Sequence, residues 1–133
     1  MSRLWLFSLA LIGMSIVGAS MLATDAQGAD AGKVLRHVVL YKFKETVAPA
    51  QVQEVVAAFA GLPKKIDTII GFEWGTNVSP EGKSEGLTHA FVVTFQDEAG
   101  RAAYLKHPAH DAYVLVVKDK RERAVVFDYW ADK

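Results

Sequence analysis

The fold is decided by the stretch from Leu35 to Phe43, which reads Leu-Arg-His-Val-Val-Leu-Tyr-Lys-Phe. Its β-branched and aromatic residues are typical of a strand, in which successive side chains point to opposite sides. Both sides of this strand carry apolar residues, so the sheet that contains it needs cover on both faces. One face carries His37, Val39, Tyr41 and Phe43, and the other carries Arg36, Val38, Leu40 and Lys42.

Helix and strand patterns alternate after this first strand. Pro49 fits the first turn of a helix, and apolar residues follow it at helical spacing. Asp97 is a typical residue to cap a second helix, and Pro108 interrupts that helix and begins a third. The predicted elements are a helix over 49–60, strands over 69–77 and 87–95, helices over 97–106 and 108–118, and a last strand over 124–130.

This β-α-β-β-α-β order, with an extra short helix before the last strand, predicts an α+β domain of ferredoxin-like topology. The sheet has four antiparallel strands, with the first and third in the middle and the helices on one face. The opposite face of the central strands is also largely apolar, through Val38, Leu40, Ala90 and Val92. We expect a homodimer in which two sheets stack through this face. The alternative is a monomer in which a terminal segment covers it.

Composition excludes several classes of function. The 133 residues contain 15 Lys and Arg and 15 Asp and Glu, so the chain has no basic footprint for nucleic acid. The sequence has no cysteine, which excludes disulfides, thiolate catalysis and cysteine-bound zinc. It also has no phosphate-cradling glycine loop, nucleophile elbow or His-Glu-x-x-His pattern. A fraction of 51% hydrophobic residues supports one domain with a packed core.

The N-terminal residues resemble an export signal. Arg3 supplies a positive charge, Leu4 to Val17 is almost wholly apolar, and small residues follow. We predict a signal peptide over 1–26, with Ala23 as the alternative last residue, a flexible leader over 27–33, and a domain over 34–133. The protein would then be secreted or periplasmic. The alternative is an uncleaved segment that anchors the chain in a membrane.

Five segments together resemble the stress-responsive dimeric α/β-barrel (Dabb) family. The resemblance extends from about Val34 to Tyr129 and implies a dimeric α/β barrel, a scaffold shared by stress proteins, small cyclases and proteins without an assigned activity. The matching segments are His37-Val38-Val39-Leu40-Tyr41-Lys42-Phe43-Lys44, Trp74-Gly75-Thr76-Asn77, Thr88-His89-Ala90-Phe91-Val92-Val93-Thr94-Phe95, Ala103-Tyr104-Leu105-Lys106-His107-Pro108-Ala109-His110 and Phe127-Asp128-Tyr129.

A plant polyketide cyclase of this family closes an aromatic ring without metal or cofactor, through a histidine and a tyrosine. The resemblance places His110 and Tyr104 at those positions, and His37 and His89 at two further pocket histidines. An exported protein would not meet that enzyme's substrate, so the resemblance implies a type of chemistry and not a substrate.

The residues themselves also indicate His110. It falls in the first turn of the helix that Pro108 begins, where the positive end of the helix dipole disfavours imidazolium. A neutral imidazole that faces inward, on the side of Tyr113, suits a general base. The Tyr104 hydroxyl could stabilise an oxygen that develops negative charge. Alternatively, Tyr104 and His110 only hydrogen-bond each other at the helix break, and we expect His107 to cap that break.

His37 and His89 each share a strand face with apolar residues. We expect the two neighbouring strands to run parallel, so that both imidazoles converge inside the monomer. Either they are core histidines with hydrogen-bond partners, or they line a pocket. The residues expected to line this pocket are His37, Val39, Tyr41, His89, Phe91 and Tyr113.

Three functions remain open. The first is binding of a small hydrophobic molecule in the histidine-lined pocket, without catalysis. The second is a cofactor-free lyase or cyclase that uses His110 and Tyr104 as an acid–base pair. The third is a haem-handling, monooxygenase-like protein with His37, His89 or His110 as axial ligand. We expect no metal, because Pro108 breaks the register between His107 and His110 and no carboxylate completes a site. Asp128 is expected to be a structural hydrogen-bonding acid.

The export signal predicts a defined N-terminus for the mature protein. Expression of the full chain in a bacterial host should yield a soluble periplasmic form that begins at Thr24 or Gln27, because signal peptidase cleaves after small residues. Mass spectrometry of the intact protein measures this. Recovery of the intact N-terminal peptide in the membrane fraction would contradict cleavage.

Overall fold

The computed structural model describes residues 32–133, so the predicted signal peptide (1–26) and most of the predicted leader (27–33) lie outside the described residues. Within the described part, no helix is long and apolar enough to cross a membrane. The elements are β1 (Lys33–Phe43), α1 (Pro49–Ala60), a 3₁₀ turn (Leu62–Lys64), β2 (Ile69–Thr76), β3 (His89–Phe95), α2 (Glu98–Leu105), α3 (Pro108–Val117) and β4 (Arg121–Asp132).

The four strands form one sheet in the order β2-β3-β1-β4, and every neighbouring pair is antiparallel. This confirms the ferredoxin-like α+β fold and the central position of the first and third strands. The predicted element order is also confirmed. The last strand is longer than predicted, because β4 pairs with β1 along almost the whole of both strands.

The expectation that the first and third strands run parallel is wrong. The crossover through α1 makes β2 parallel to β1 in direction, and the loop after β2 reverses the chain, so β3 is antiparallel to both. In the resulting register His37 lies opposite Val93, whereas His89 lies opposite Tyr41. The two histidines are therefore separated along the sheet by four residues of β1.

The core lies between the sheet and the helices. Three helix-facing side chains of β3 are completely buried, and Phe59 of α1 stacks on one of them, Phe91, with 4.5 Å between ring centroids. Phe59 also contacts Tyr113 of α3 at 4.6 Å, so one aromatic ring joins both helices to the sheet. Burial of such rings dominates the stability of a core of this size. The completely buried aromatic and aliphatic members of β3 are Phe91, Val93 and Phe95.

Local sequence signals set the ends of the helices. Pro49 and Pro108 occupy first-turn positions of α1 and α3. The Asp97 carboxylate accepts a hydrogen bond from the Gly100 amide at 2.8 Å and so caps α2. His107 caps α3 as predicted, since its Nδ1 accepts from the Ala109 amide at 3.0 Å. Pro108 and the His107 cap together fix the break between α2 and α3.

The other face of the sheet is not covered by helices. Val38 and Leu40 of β1 are only partly buried there, and their cross-strand partners on β4 are Phe127 and Val125. Phe127 is 64% exposed and contacts the ring of Tyr129, which is 44% exposed. We call this surface the open sheet face. It is the apolar face that the sequence predicts to need a partner.

Candidate functional site

A cavity of about 450 Å³ opens between the helix side of the sheet and helices α2 and α3. Its walls come from β1, α1, α2, α3 and β4, so residues far apart in the chain meet in it. Six of the eight predicted site residues line it, which are His37, Val39, Tyr41, Tyr104, His110 and Tyr113. We call this space the central cavity.

His37 is held in place by an acid on the neighbouring strand. Its Nδ1 lies 2.7 Å from Oδ1 of Asp128, directly across the β1–β4 pair. The other carboxylate oxygen of Asp128 accepts a hydrogen bond from Nη1 of Arg101 at 2.5 Å. The Asp128 carboxylate therefore has a partner on each oxygen. This cluster spans β1, β4 and α2, and all three of its members line the cavity.

The pairing also sets the tautomer of His37. An ionised carboxylate accepts hydrogen bonds and does not donate them, so a neutral His37 carries its proton on Nδ1. Nε2 is then the nitrogen left to accept a proton. The same arrangement orients histidines in many catalytic and metal sites. The prediction that Asp128 is a structural hydrogen-bonding acid thus holds, with the addition that its partner is a cavity residue.

His110 lies against Tyr104, with 4.5 Å between the ring centroids and an interplanar angle of 59°. Within residues 32–133 the buried Nδ1 of His110 has no hydrogen-bond partner. The alternative that Tyr104 and His110 hydrogen-bond each other is therefore not what the structure has, since their rings only pack together. A buried nitrogen without a hydrogen-bond partner costs free energy, so this position of the His110 ring lowers the stability of the fold.

Burial lowers the pKa of His110, and neighbouring His37 lowers that pKa further, while Asp111 opposes the change. The neutral imidazole is the form that accepts a proton. Burial also raises the pKa values of Tyr104 and Tyr113, and the Tyr41 hydroxyl adds to both effects. Both tyrosines therefore keep their protons and can act as hydrogen-bond donors. The cavity combines a neutral base with neutral phenols.

Tyr41 and Tyr113 form a second polar pair in the same cavity. Their hydroxyl oxygens are 2.9 Å apart and join β1 to α3. The guanidinium carbon of Arg121 lies 5.9 Å from the centroid of the Tyr41 ring, which is within the range of a cation–π contact. Arg121 therefore brings a positive charge to the end of the cavity that is formed by Tyr41.

The structure separates the other two predicted pocket residues from this cavity. Phe91 is completely buried in the core. His89 packs edge-on to Phe43 at 5.1 Å and parallel to Trp74 at 6.4 Å, and its Nδ1 is 2.9 Å from the Thr88 hydroxyl. The expected convergence of His37 and His89 is wrong because the strands are antiparallel. His89 lines a different cavity, of about 380 Å³, beside the loop between β2 and β3.

Three charged residues of the central cavity were not predicted as site residues: Arg101, Arg121 and Asp128. A signal for Asp128 was available, because pairing the first and last strands in register places it opposite His37. Directly opposed side chains on one face of an antiparallel pair are neighbours. No comparable signal exists for the arginines, whose positions depend on how α2 and the start of β4 pack.

No group of three or more His, Cys, Asp or Glu side chains within residues 32–133 is arranged so that it could hold a metal ion. His107, which the sequence places three residues before His110, uses its Nδ1 to cap α3. The two histidines therefore have different roles, since His107 caps α3 and His110 lines the central cavity.

Comparison with known proteins identifies the family. A sequence model of the stress responsive A/B barrel domain, Dabb, matches residues 35–131. The chain belongs to the Dabb family. It is 34% identical over 95 residues to the stress-response A/B barrel domain-containing protein HS1 of Arabidopsis thaliana, covering 71% of this chain and 87% of that protein. It is 32% identical over 95 residues to olivetolic acid cyclase of Cannabis sativa, covering 71% of this chain and 94% of the cyclase.

Solved structures agree with this Dabb assignment. A dimeric ferredoxin-like protein from Thermobifida fusca superposes with a TM-score of 0.64 at 26% identity, covering 74% of this chain and 91% of the other. Hydroxynitrile lyase from Passiflora edulis superposes with a TM-score of 0.72 at 23% identity, covering 77% and 96%. At that identity the lyase demonstrates a shared fold alone. Enzymes and proteins of unassigned activity thus share this scaffold.

The lowered pKa of His110 predicts how stability responds to acid. Imidazole NMR titration should give His110 a midpoint below its ordinary pKa of 6.5. Between that midpoint and 6.5 the unfolded chain binds a proton that the folded protein does not, so the free energy of unfolding should decrease as the pH falls through this window. His110→Gln should reduce this loss in urea unfolding at pH 7 and pH 5. A His110 midpoint at or above 6.5 would contradict the burial argument.

Proposed function

We propose that the central cavity binds a small, largely apolar molecule that carries a carbonyl or hydroxyl oxygen. A volume of about 450 Å³ lies within the range of small-molecule pockets, which are apolar with a few polar groups. Val39, Phe59 and Val114 supply the apolar walls. The observation that carries the proposal is that His37, Tyr104 and His110, from three different elements, meet in the lining of this one cavity.

A second candidate function is cofactor-free catalysis by His110 and Tyr104. It is favoured by the contact between a neutral imidazole and a protonated phenol in one cavity. In this reaction His110 takes a proton from a carbon next to a carbonyl, or from a hydroxyl. The electron pair that is left forms an enolate or alkoxide, and the Tyr104 hydroxyl donates a hydrogen bond to that oxygen.

The cyclase relative supports acid–base chemistry of this kind, since olivetolic acid cyclase shares 32% of its aligned residues with this chain. His37 would assist, because Asp128 holds its ring in one tautomer beside His110. The haem-handling alternative stays a prediction. Of its candidate axial ligands, His37 and His110 line the central cavity and His89 does not.

We also propose that the protein is an exported homodimer. The open sheet face exposes Phe127 and Tyr129, and a dimeric protein of 26% identity has the same fold. Stacking a second copy on this face would remove its apolar side chains from water, which favours association. Export rests on the sequence of residues 1–26 and leads to the periplasm or the exterior.

Blocking the central cavity tests binding and catalysis together. Leu105 lines the cavity and is 45% exposed. Leu105→Trp should lower the affinity for an apolar carbonyl probe such as acetophenone at least tenfold by obstructing the entrance, as measured by ligand-detected NMR. If the protein is also a lyase, release of benzaldehyde from mandelonitrile should fall by about 10²–10⁴ in His110→Gln and by a similar factor in Tyr104→Phe.

The matched control is Leu115→Trp, because Leu115 is also exposed, at 64%, but does not line the cavity. It should bind the probe as the unmodified protein does. Equal binding by both variants would contradict the proposed site. Binding that persists in His110→Gln and Tyr104→Phe, with no turnover by any form, would favour a binding protein over an enzyme.

The dimer proposal predicts the effect of a charge on the open sheet face. Phe127→Glu should convert the dimer to a monomer at micromolar concentration, since it would bury a carboxylate without a partner. Sedimentation equilibrium measures the mass. The control is Val126→Glu, which lies next in the chain, is 57% exposed and points to the opposite face. A monomeric unmodified protein, or dissociation by the control alone, would contradict an interface at this face.

A further inference from the structure

The charges that line the central cavity do not balance. Two arginines, Arg101 and Arg121, line it, and among the described residues that do so Asp128 is the single acid. Asp128 is already occupied, because one oxygen is bonded to His37 and the other to Arg101. With neutral histidines the lining carries two positive charges and one negative charge, which leaves one positive charge without a counter-ion.

That positive charge belongs to Arg121. Within residues 32–133 its guanidinium makes no ion pair, and it lies over the ring of Tyr41. The acid that follows it on β4 does not compensate it, since Glu122 binds Lys42 at 2.8 Å. A guanidinium presents a fork of donors that matches a carboxylate in two hydrogen bonds. Arg121 therefore lines the cavity with a guanidinium that has no anionic partner within residues 32–133.

The positive charge of Arg121 acts on a hydroxyl group of the central cavity. Burial raises the pKa of the Tyr113 hydroxyl and Tyr41 raises it further, while Arg121 acts in the opposite direction. Tyr113 is bonded to Tyr41, on which Arg121 lies. An anionic group placed over Tyr41 would thus meet a guanidinium in a partly desolvated setting, where a charge pair is stronger than in water.

We propose that the central cavity selects ligands that carry a carboxylate, with Arg121 as the residue that binds it. This inference rests on the proposed ligand-binding function of the same cavity and names the class of its ligand. The carboxylate lies at the Tyr41 end, and the apolar body extends toward His37 and His110. Tyr41 and His37 are four residues apart on β1, which corresponds to about 13 Å along a strand. An elongated carboxylic acid of that length would place its far end beside His37.

Matched probes that differ only in charge test the proposal. We would compare 6-phenylhexanoate with 6-phenylhexanamide by isothermal titration calorimetry on the protein that is purified after expression of the full chain. The carboxylate should bind at least tenfold more tightly than the amide, and raised ionic strength should weaken the carboxylate alone. In Arg121→Gln the two probes should bind with affinities within about twofold of each other, because Arg121 supplies the preference.

The control is Arg123→Gln, which removes the same charge two residues along β4, where Arg123 binds Glu85 and does not line the cavity. It should keep the full preference for the carboxylate. Equal affinities for both probes in the unmodified protein would overturn the carboxylate inference and leave ligand binding intact. A preference that persists in Arg121→Gln, or disappears in Arg123→Gln, would overturn the role of Arg121. If neither probe binds in the unmodified protein, the proposed function itself fails.

Discussion

Strand β1 imposes the constraint on which the rest of the structure depends. It is hydrogen-bonded along both edges, to β3 and β4, so it cannot slip by one residue without moving every side chain to the other face. This register keeps His37, Val39 and Tyr41 under the helices, where the central cavity lies. The same register keeps Val38 and Leu40 on the open sheet face. The cavity and the proposed dimer interface thus lie on opposite faces of the sheet, because alternate side chains of β1 point to opposite faces.

Polar groups inside such a cavity are costly unless they are paired. Asp128 meets this requirement through His37 and Arg101, and the resulting cluster fastens α2 to the edge strand β4. The informative groups are then those that have no hydrogen-bond or ion-pair partner within residues 32–133. Nδ1 of His110 and the guanidinium of Arg121 both belong to residues that line the cavity, and one suits a polar atom and the other an anion. The proposed carboxylate selectivity of the cavity follows from the guanidinium of Arg121.

The fold alone does not decide what the protein does. The chain shares its scaffold with a polyketide cyclase and with a protein named only for its domain, at similar identities of 32% and 34%. A scaffold of this kind consists of a sheet with helices packed on one face, and the chemistry depends on the side chains that lie between them. Function in this chain therefore has to be argued from Tyr104, His110, Arg121 and their neighbours in the central cavity.

The sequence by itself determined the element order, the faces of each strand and the role of His107 at the helix break, because strand alternation and helix caps are local patterns. It also placed His110 and Tyr104 together, since only five residues, one of them Pro108, separate them. Only the tertiary structure decided that His37 meets Asp128, 91 residues away, and that His89 lies elsewhere. Strand direction and register depend on pairing between segments that are far apart in the chain, so no local sequence pattern determines them. For the same reason the unpaired charge of Arg121 became visible only once the strands and helices were packed together.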